Sequence, residues 1–113
     1  MEDCLFCKII KSEIPSKKVF ENDNVYAFHD INPLAKEHYL FIHKSHTKNV
    51  NEMSANAEQL SDIFKAISEF TSSNSLLENG YRVVTNVNKH GGQTVFHTHF
   101  HVLGGEQLKG FGA

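Results

Sequence analysis

Phe96-His97-Thr98-His99-Phe100-His101-Val102-Leu103 alternates imidazoles with other side chains at period two. That period is the mark of a β-strand, whose successive side chains point to opposite faces. Read so, His97, His99 and His101 share one face, and Thr98, Phe100 and Val102 take the other. Next-but-one residues on a strand lie about 6.5–7 Å apart, close enough for neighbouring imidazoles to act on one bound group. A solvent-exposed face that merely uses histidine is the plainer alternative. A triple imidazole metal site is another, since imidazole is a common metal ligand.

Working outward, Lys89-His90-Gly91-Gly92-Gln93 reads as a loop running into this strand. Glycines let backbone approach a ligand, and consecutive amides of Gly91, Gly92, Gln93 and Thr94 could point at phosphate oxygens as a nest. The Gln93 and Thr94 side chains add donors. Tyr81 to Asn86 reads as a strand before the loop. Upstream, Met53, Ala57, Leu60, Ile63, Phe64, Ile67 and Phe70 follow helical spacing, with Ser54 as N-cap and Glu58 in the first turn. Lys18–Glu21 and Val25–His29 pair across the turn residues Asn22-Asp23-Asn24, and His38–His43 forms a further strand. Leu5 to Lys11 has a short helical pattern stopped before Pro15. The expected fold is α+β, a five-stranded antiparallel sheet with one main helix and a short N-terminal one, in a single domain over residues 1–113.

Composition bounds the functions. The chain has 113 residues, 40% hydrophobic and 21% charged, ordinary for a globular domain. The net charge of −2 lacks the basic excess of a nucleic-acid binder. No apolar run reaches the roughly 18 residues of a membrane span. The acidic start Met1-Glu2-Asp3 is unlike a signal peptide. A cytoplasmic location is therefore expected, with no nucleic acid or membrane partner. The two cysteines, Cys4 and Cys7, cannot build a disulfide framework.

The histidine run, with its two following apolar residues, resembles the motif of the histidine triad family. Phe6 to Pro15, Ala27-Phe28-His29-Asp30-Ile31, Pro33, His38-Tyr39-Leu40, Gly80 to Val84 and Gly91 to Phe96 are similar to its Hint branch of nucleotide-binding proteins. The resemblance spans nearly the whole chain. It implies a homodimer whose sheets join across subunits. It also implies a hydrolase of purine nucleoside 5′-phosphoramidates, or of related nucleotidyl esters, working through a nucleotidyl-histidine.

On that resemblance His99 is the nucleophile, a role that needs one free ring nitrogen. His101 faces the same phosphate. Thr94 supplies a hydroxyl near the leaving group, and His38 orients the triad; otherwise His38 is a core or surface histidine. Asp30 receives the ribose hydroxyls, or else simply caps the turn before Pro33. Phe6, Ile9, Phe28 and Ile31 form a slot for the base; on pattern alone all four read as core. Asn86 meets the phosphate end of the ligand, or is only a turn residue. Gly92 and Gln93 complete the nucleotide site.

Many microbial relatives pair such cysteines with two histidines around zinc. The matching residues are Cys4, Cys7, His46 and His97, a donor set suited to structural tetrahedral zinc. The alternative is two reduced thiols. Two other functions stay open: a nucleotide- or partner-binding module with negligible catalysis, and a histidine-metal hydrolase. Glu106 stands where many relatives carry a basic residue, the chain has no tryptophan, and the tail from Leu108 to Ala113 is short. Leaving-group preference is therefore not carried over.

Overall fold

The computed structural model describes residues 3–110. The last residues of the tail, Phe111 to Ala113, lie outside them. In chain order the elements are α1 (Leu5–Ile10), β1 (Lys18–Glu21), β2 (Val25–His29), β3 (Glu37–His43), α2 (Val50–Met53), α3 (Ala57–Ser73), α4 (Leu76–Asn79), β4 (Tyr81–Val84) and β5 (His99–Gly104). The five strands form one antiparallel sheet in the order β1-β2-β3-β5-β4. The fold class read from the sequence is the one observed.

Alternation sorts the two faces. Val25, Ala27, Tyr39, Phe41, Phe100 and Val102 pack under α3, against Ile63, Ile67 and Phe70. Each such aliphatic or aromatic side chain contributes about 1.5–3 kcal/mol on burial. On the opposite face Tyr26, Phe28, Leu40 and Ile42 are covered by Phe6 and Ile9 of α1. Register places His101 beside Leu40 and His99 beside Ile42. The histidines therefore share the α1 face, while α3 holds the sheet rigid from behind.

Several boundaries differ from the expectation. The last strand begins at His99, not Phe96. The preceding residues leave the ladder because the Thr98 amide donates to the Thr47 carbonyl (2.8 Å) and the two threonine hydroxyls bond each other (2.6 Å). His97 thus lies just before the strand, yet its ring stays on the α1 side with that of His99, since Phe6 meets both (6.0 and 5.1 Å). β4 ends at Val84, and the Thr85 hydroxyl then donates to the His99 carbonyl (2.8 Å) in place of a ladder bond. The main helix is capped by Asn56, whose side chain accepts from the Glu58 amide, and not by Ser54. Ser54 closes α2, its hydroxyl donating to the Val50 carbonyl (2.7 Å). Met53 belongs to that extra turn, which Asn49 caps, yet is still fully buried. Phe64, read as core, is 48% exposed. Its ring rests edge-on against Phe100 of β5 (centroids 5.5 Å apart).

Candidate functional site

His99 and His101 project side by side from β5, ring centroids 5.1 Å apart. Burial holds both pKa values below the usual histidine value, His101 at about 4 with its neighbours His99 and His38 adding to the effect. Both rings are therefore neutral at neutral pH, and each carries one proton. Hydrogen-bond partners assign which nitrogen holds it.

The His99 Nδ1–H donates to the His97 carbonyl (2.8 Å). Its Nε2 is then a bare lone pair. His101 is set the opposite way. The Leu34 amide donates to His38 Nδ1 (3.0 Å), so neutral His38 carries its proton on Nε2. That proton is donated to His101 Nδ1 (2.9 Å). His101 consequently holds its proton on Nε2. Burial lowers the His38 pKa, with the Asp30 carboxylate (3.4 Å from Nε2) partly opposing it. One imidazole offers a nucleophilic lone pair, and its neighbour an N–H donor. Asp30, His38 and His101 lie close enough to share a cation. However, the 2.9 Å His38–His101 separation is that of a hydrogen bond and is shorter than the ~3.3 Å between two nitrogens on tetrahedral zinc.

Phe6 packs edge-on against His99 (5.1 Å) and Phe28 (5.6 Å). Phe28, Asp30 and Ile31, with Pro15, Lys17 and Pro33, line a concavity of about 670 Å³. Ile31 is 91% exposed, an apolar side chain left in solvent at its rim. Phe6 and Ile9 lie buried beside Phe28. Asp30 takes the turn-capping role weighed for it: one oxygen accepts from the Asn32 amide (2.8 Å), while the other faces His38 (3.4 Å). A second concavity of about 700 Å³, lined by Leu76, Tyr81, Arg82, Glu106 and Leu108, contains none of the residues assigned from sequence to catalysis, nucleotide or metal.

The glycine loop requires a correction. The amides of Gly92 and Gln93 donate to Lys89 (3.1 Å) and Asn88 (3.0 Å) carbonyls, so they do not form an outward nest. The Gln93 side chain is likewise consumed: Oε1 accepts from the Asn88 amide, and Nε2 donates to the Lys48 and Val95 carbonyls. Gln93 is a buried strut and not a phosphate donor. The glycines serve the loop itself. A Cβ at Gly91 would sit 2.5 Å from the Val87 carbonyl oxygen, and Gly92 has φ +82. Asn86 braces the same turn, its amide donating to the Gly91 carbonyl (2.7 Å). Thr94 remains exposed on the loop.

A second cluster lies under α1. His97, 0% exposed, donates from Nε2 to the His43 carbonyl (2.9 Å). Its bare Nδ1 stands 3.3 Å from Cys4 Sγ, 3.5 Å from Cys7 Sγ and 3.2 Å from His46 Nδ1. Cys7 Sγ is 3.5 Å from His46 Nδ1. Tetrahedral zinc spaces its nitrogen and sulfur ligands by roughly 3.3–3.8 Å. Left to themselves these groups are poorly matched: burial and Cys4 push the Cys7 thiol to about 11, and burial takes His97 to about 4. The residues fit a soft divalent cation.

Sequence reasoning missed the backbone groups that set the tautomers, Leu34 N–H and His97 C=O, which carry no side-chain signal. It also missed Thr85, whose hydroxyl anchors the His99 backbone.

Comparison with known proteins follows the same lines. The family model described as the HIT domain matches residues 11–108. The chain is 43% identical over 108 residues to a purine nucleoside phosphoramidase of Escherichia coli, covering 95% of this chain and 91% of that one. A solved HIT family hydrolase from Clostridium thermocellum superposes with TM-score 0.93 at 46% identity, covering 98% of this chain and 97% of that one. A histidine triad protein from Clostridium difficile gives TM-score 0.94 at 38% identity, with the same 98% and 97% coverage.

Proposed function

The chain belongs to the HIT domain family, and from that premise we propose that it hydrolyses purine nucleoside 5′-phosphoramidates, or related nucleotidyl esters, through a nucleotidyl-histidine on His99. The observation that carries this reading is the opposed pair of tautomers at His99 and His101. It is supported by the similarity to a purine nucleoside phosphoramidase.

His99 Nε2 attacks the α-phosphorus, forming an N–P bond as the bond to the amine breaks. His101 Nε2–H donates a hydrogen bond to the charge growing on the α-phosphate oxygens, and the departing amine takes its proton from solvent. Water then attacks phosphorus from the vacated side and releases its proton to solvent. His99 leaves with its lone pair, and the nucleoside monophosphate is released. The Thr94 hydroxyl contacts the leaving group. Asp30 accepts from the ribose hydroxyls. Phe6, Ile9, Phe28 and Ile31 hold the purine, and the loop of Asn86 and Gly92 borders the phosphate.

Cys4, Cys7, His46 and His97 hold zinc in the same reading. Bound there, the ion is structural: it ties α1, which carries Phe6 and Ile9, to the end of β5. The active unit is a homodimer joined through β4. That edge strand pairs in unbroken register, whereas β1 at the other edge has a register shift between Lys18 and Phe20. The exposed Phe64 stands over β5, next to β4.

Turnover of adenosine 5′-phosphoramidate by the wild type and His99→Ala is the test. Rapid turnover abolished by the substitution, with a nucleotidyl adduct on the His99 peptide after alkaline quench, supports the enzyme. Equal, negligible rates with AMP still bound would replace it with a binding module.

A further inference from the structure

His97 has three bonds in three directions. Its Nδ1 faces the two thiols and His46, its Nε2 donates to the His43 carbonyl, and its own carbonyl accepts the His99 Nδ1 proton. The ring is fully buried, so it cannot turn without disturbing the backbone that carries the carbonyl. The backbone at this point is not pinned by the sheet, because β5 starts only at His99. The peptide that carries the His97 carbonyl is held instead through the His97 side chain and through its Thr98 amide, which donates to the carbonyl of Thr47, the neighbour of His46 (2.8 Å). Phe6, between the two cysteines, adds a direct contact: its ring meets His97 (6.0 Å) and His99 (5.1 Å) edge-on.

We propose that His97 is a positioning residue, and that cation binding by Cys4, Cys7, His46 and His97 fixes the His97 carbonyl and thereby the tautomer of His99. The inference rests on the zinc reading above. A ligated Nδ1 keeps the His97 proton on Nε2, where His43 receives it, so the ring has one orientation. Without the cation the Nδ1 has only thiols and a second imidazole as neighbours. Alternative proton placements and ring tilts then become comparable. The carbonyl drifts, and His99 gains access to the Nε2–H form that has no lone pair aimed at phosphorus. The same loss frees α1, so Phe6 no longer wedges His99.

Imidazole nitrogen shifts of ¹⁵N-histidine-labelled full-length protein, at one alkaline pH, read the tautomers without catalysis. The zinc-loaded protein is compared with chelator-stripped protein and with Cys4→Ser. The expected result is a single Nδ1–H tautomer for His99 when loaded and a mixture when stripped, with His101 remaining Nε2–H. In parallel kcat falls at least tenfold while KM changes less than threefold. Where stripping unfolds the chain, cadmium-loaded and zinc-loaded proteins are compared instead. The larger ion then moves the His99 Nδ1 proton resonance and leaves that of His38 in place. Metal well below one per chain as purified, with no uptake on adding zinc, overturns the zinc reading and this inference with it. One metal per chain with His99 unchanged in folded, stripped protein, or with the His99 proton unmoved between the two ions, overturns the inference alone.

Discussion

Replacing His38 by phenylalanine removes the donor that sets His101 while keeping a ring of similar size. His38 is 3% exposed and reaches His101 Nδ1 at 2.9 Å. Removing one partner of a buried hydrogen bond costs about 1–3 kcal/mol, because the other is left unsatisfied. His101 can avoid that cost only by moving its own proton to Nδ1, which strips the donor from the nitrogen facing the substrate. That shift places the penalty on the transition state, and it corresponds to a roughly 5- to 160-fold lower kcat. His38→Gln is the matched control. Its terminal amide can occupy the Nε2 position and donate to His101, so kcat stays within about fivefold of wild type. The assay is steady-state release of AMP from adenosine 5′-phosphoramidate. AMP binding by calorimetry shows that both variants retain the site. A folded His38→Phe protein within twofold of wild-type kcat would refute the tautomer argument, as would a glutamine variant no better than phenylalanine.

Other outcomes follow from the same structure. Cys4→Ala should lower bound zinc from about one per chain towards zero and lower Tm by roughly 8 °C, from about 2 kcal/mol lost when α1 is untied; plasma emission spectrometry and thermal melts check it. Ile67→Ala, in the core under α3, should cost about 2–5 kcal/mol by denaturant titration. Phe64→Glu should leave the protomer folded but shift sedimentation towards monomer, since the exposed ring flanks the proposed interface. The depressed His101 pKa has a definite sign. The unfolded chain takes up a proton near the ordinary histidine value of 6.5 while the folded one resists until about 4, so stability is present at neutral pH and is lost as pH falls through that window. Urea midpoints at about pH 7 and about pH 5 should show a smaller drop in His101→Gln than in wild type.

The sheet was legible in the sequence because its signal is local. Asn22-Asp23-Asn24 forms the turn it suggests, with the Asn22 carboxamide accepting from the Asn24 and Val25 amides. Phe100 and Val102 take the α3 face that alternation assigns them. Errors arose where a distant partner overrode a local pattern. Phe96-His97-Thr98 has strand spacing, but Thr47 draws Thr98 out of the ladder. Ser54 is a good cap in isolation, but Asn49 starts an earlier turn and Asn56 caps the longer helix. Gly91-Gly92-Gln93 looked like a phosphate nest because composition does not reveal which way an amide points. The cluster of Cys4, Cys7, His46 and His97 came from the resemblance. Spacing alone gave only Cys4 and Cys7, since His46 and His97 are distant in sequence.

The tautomers of His101 and His99 each trace back to a backbone group. The Leu34 amide can only donate, and the His97 carbonyl can only accept. Neither ionises over the range in which histidines titrate, so the polarity of each run is hard-wired. Most side-chain changes at positions 34 and 97 leave those two terminals chemically intact. Proline at 34 is the exception, because it deletes the amide hydrogen. Which nitrogen of each catalytic ring carries the proton is therefore encoded in the course of the main chain, where an inventory of side chains does not record it.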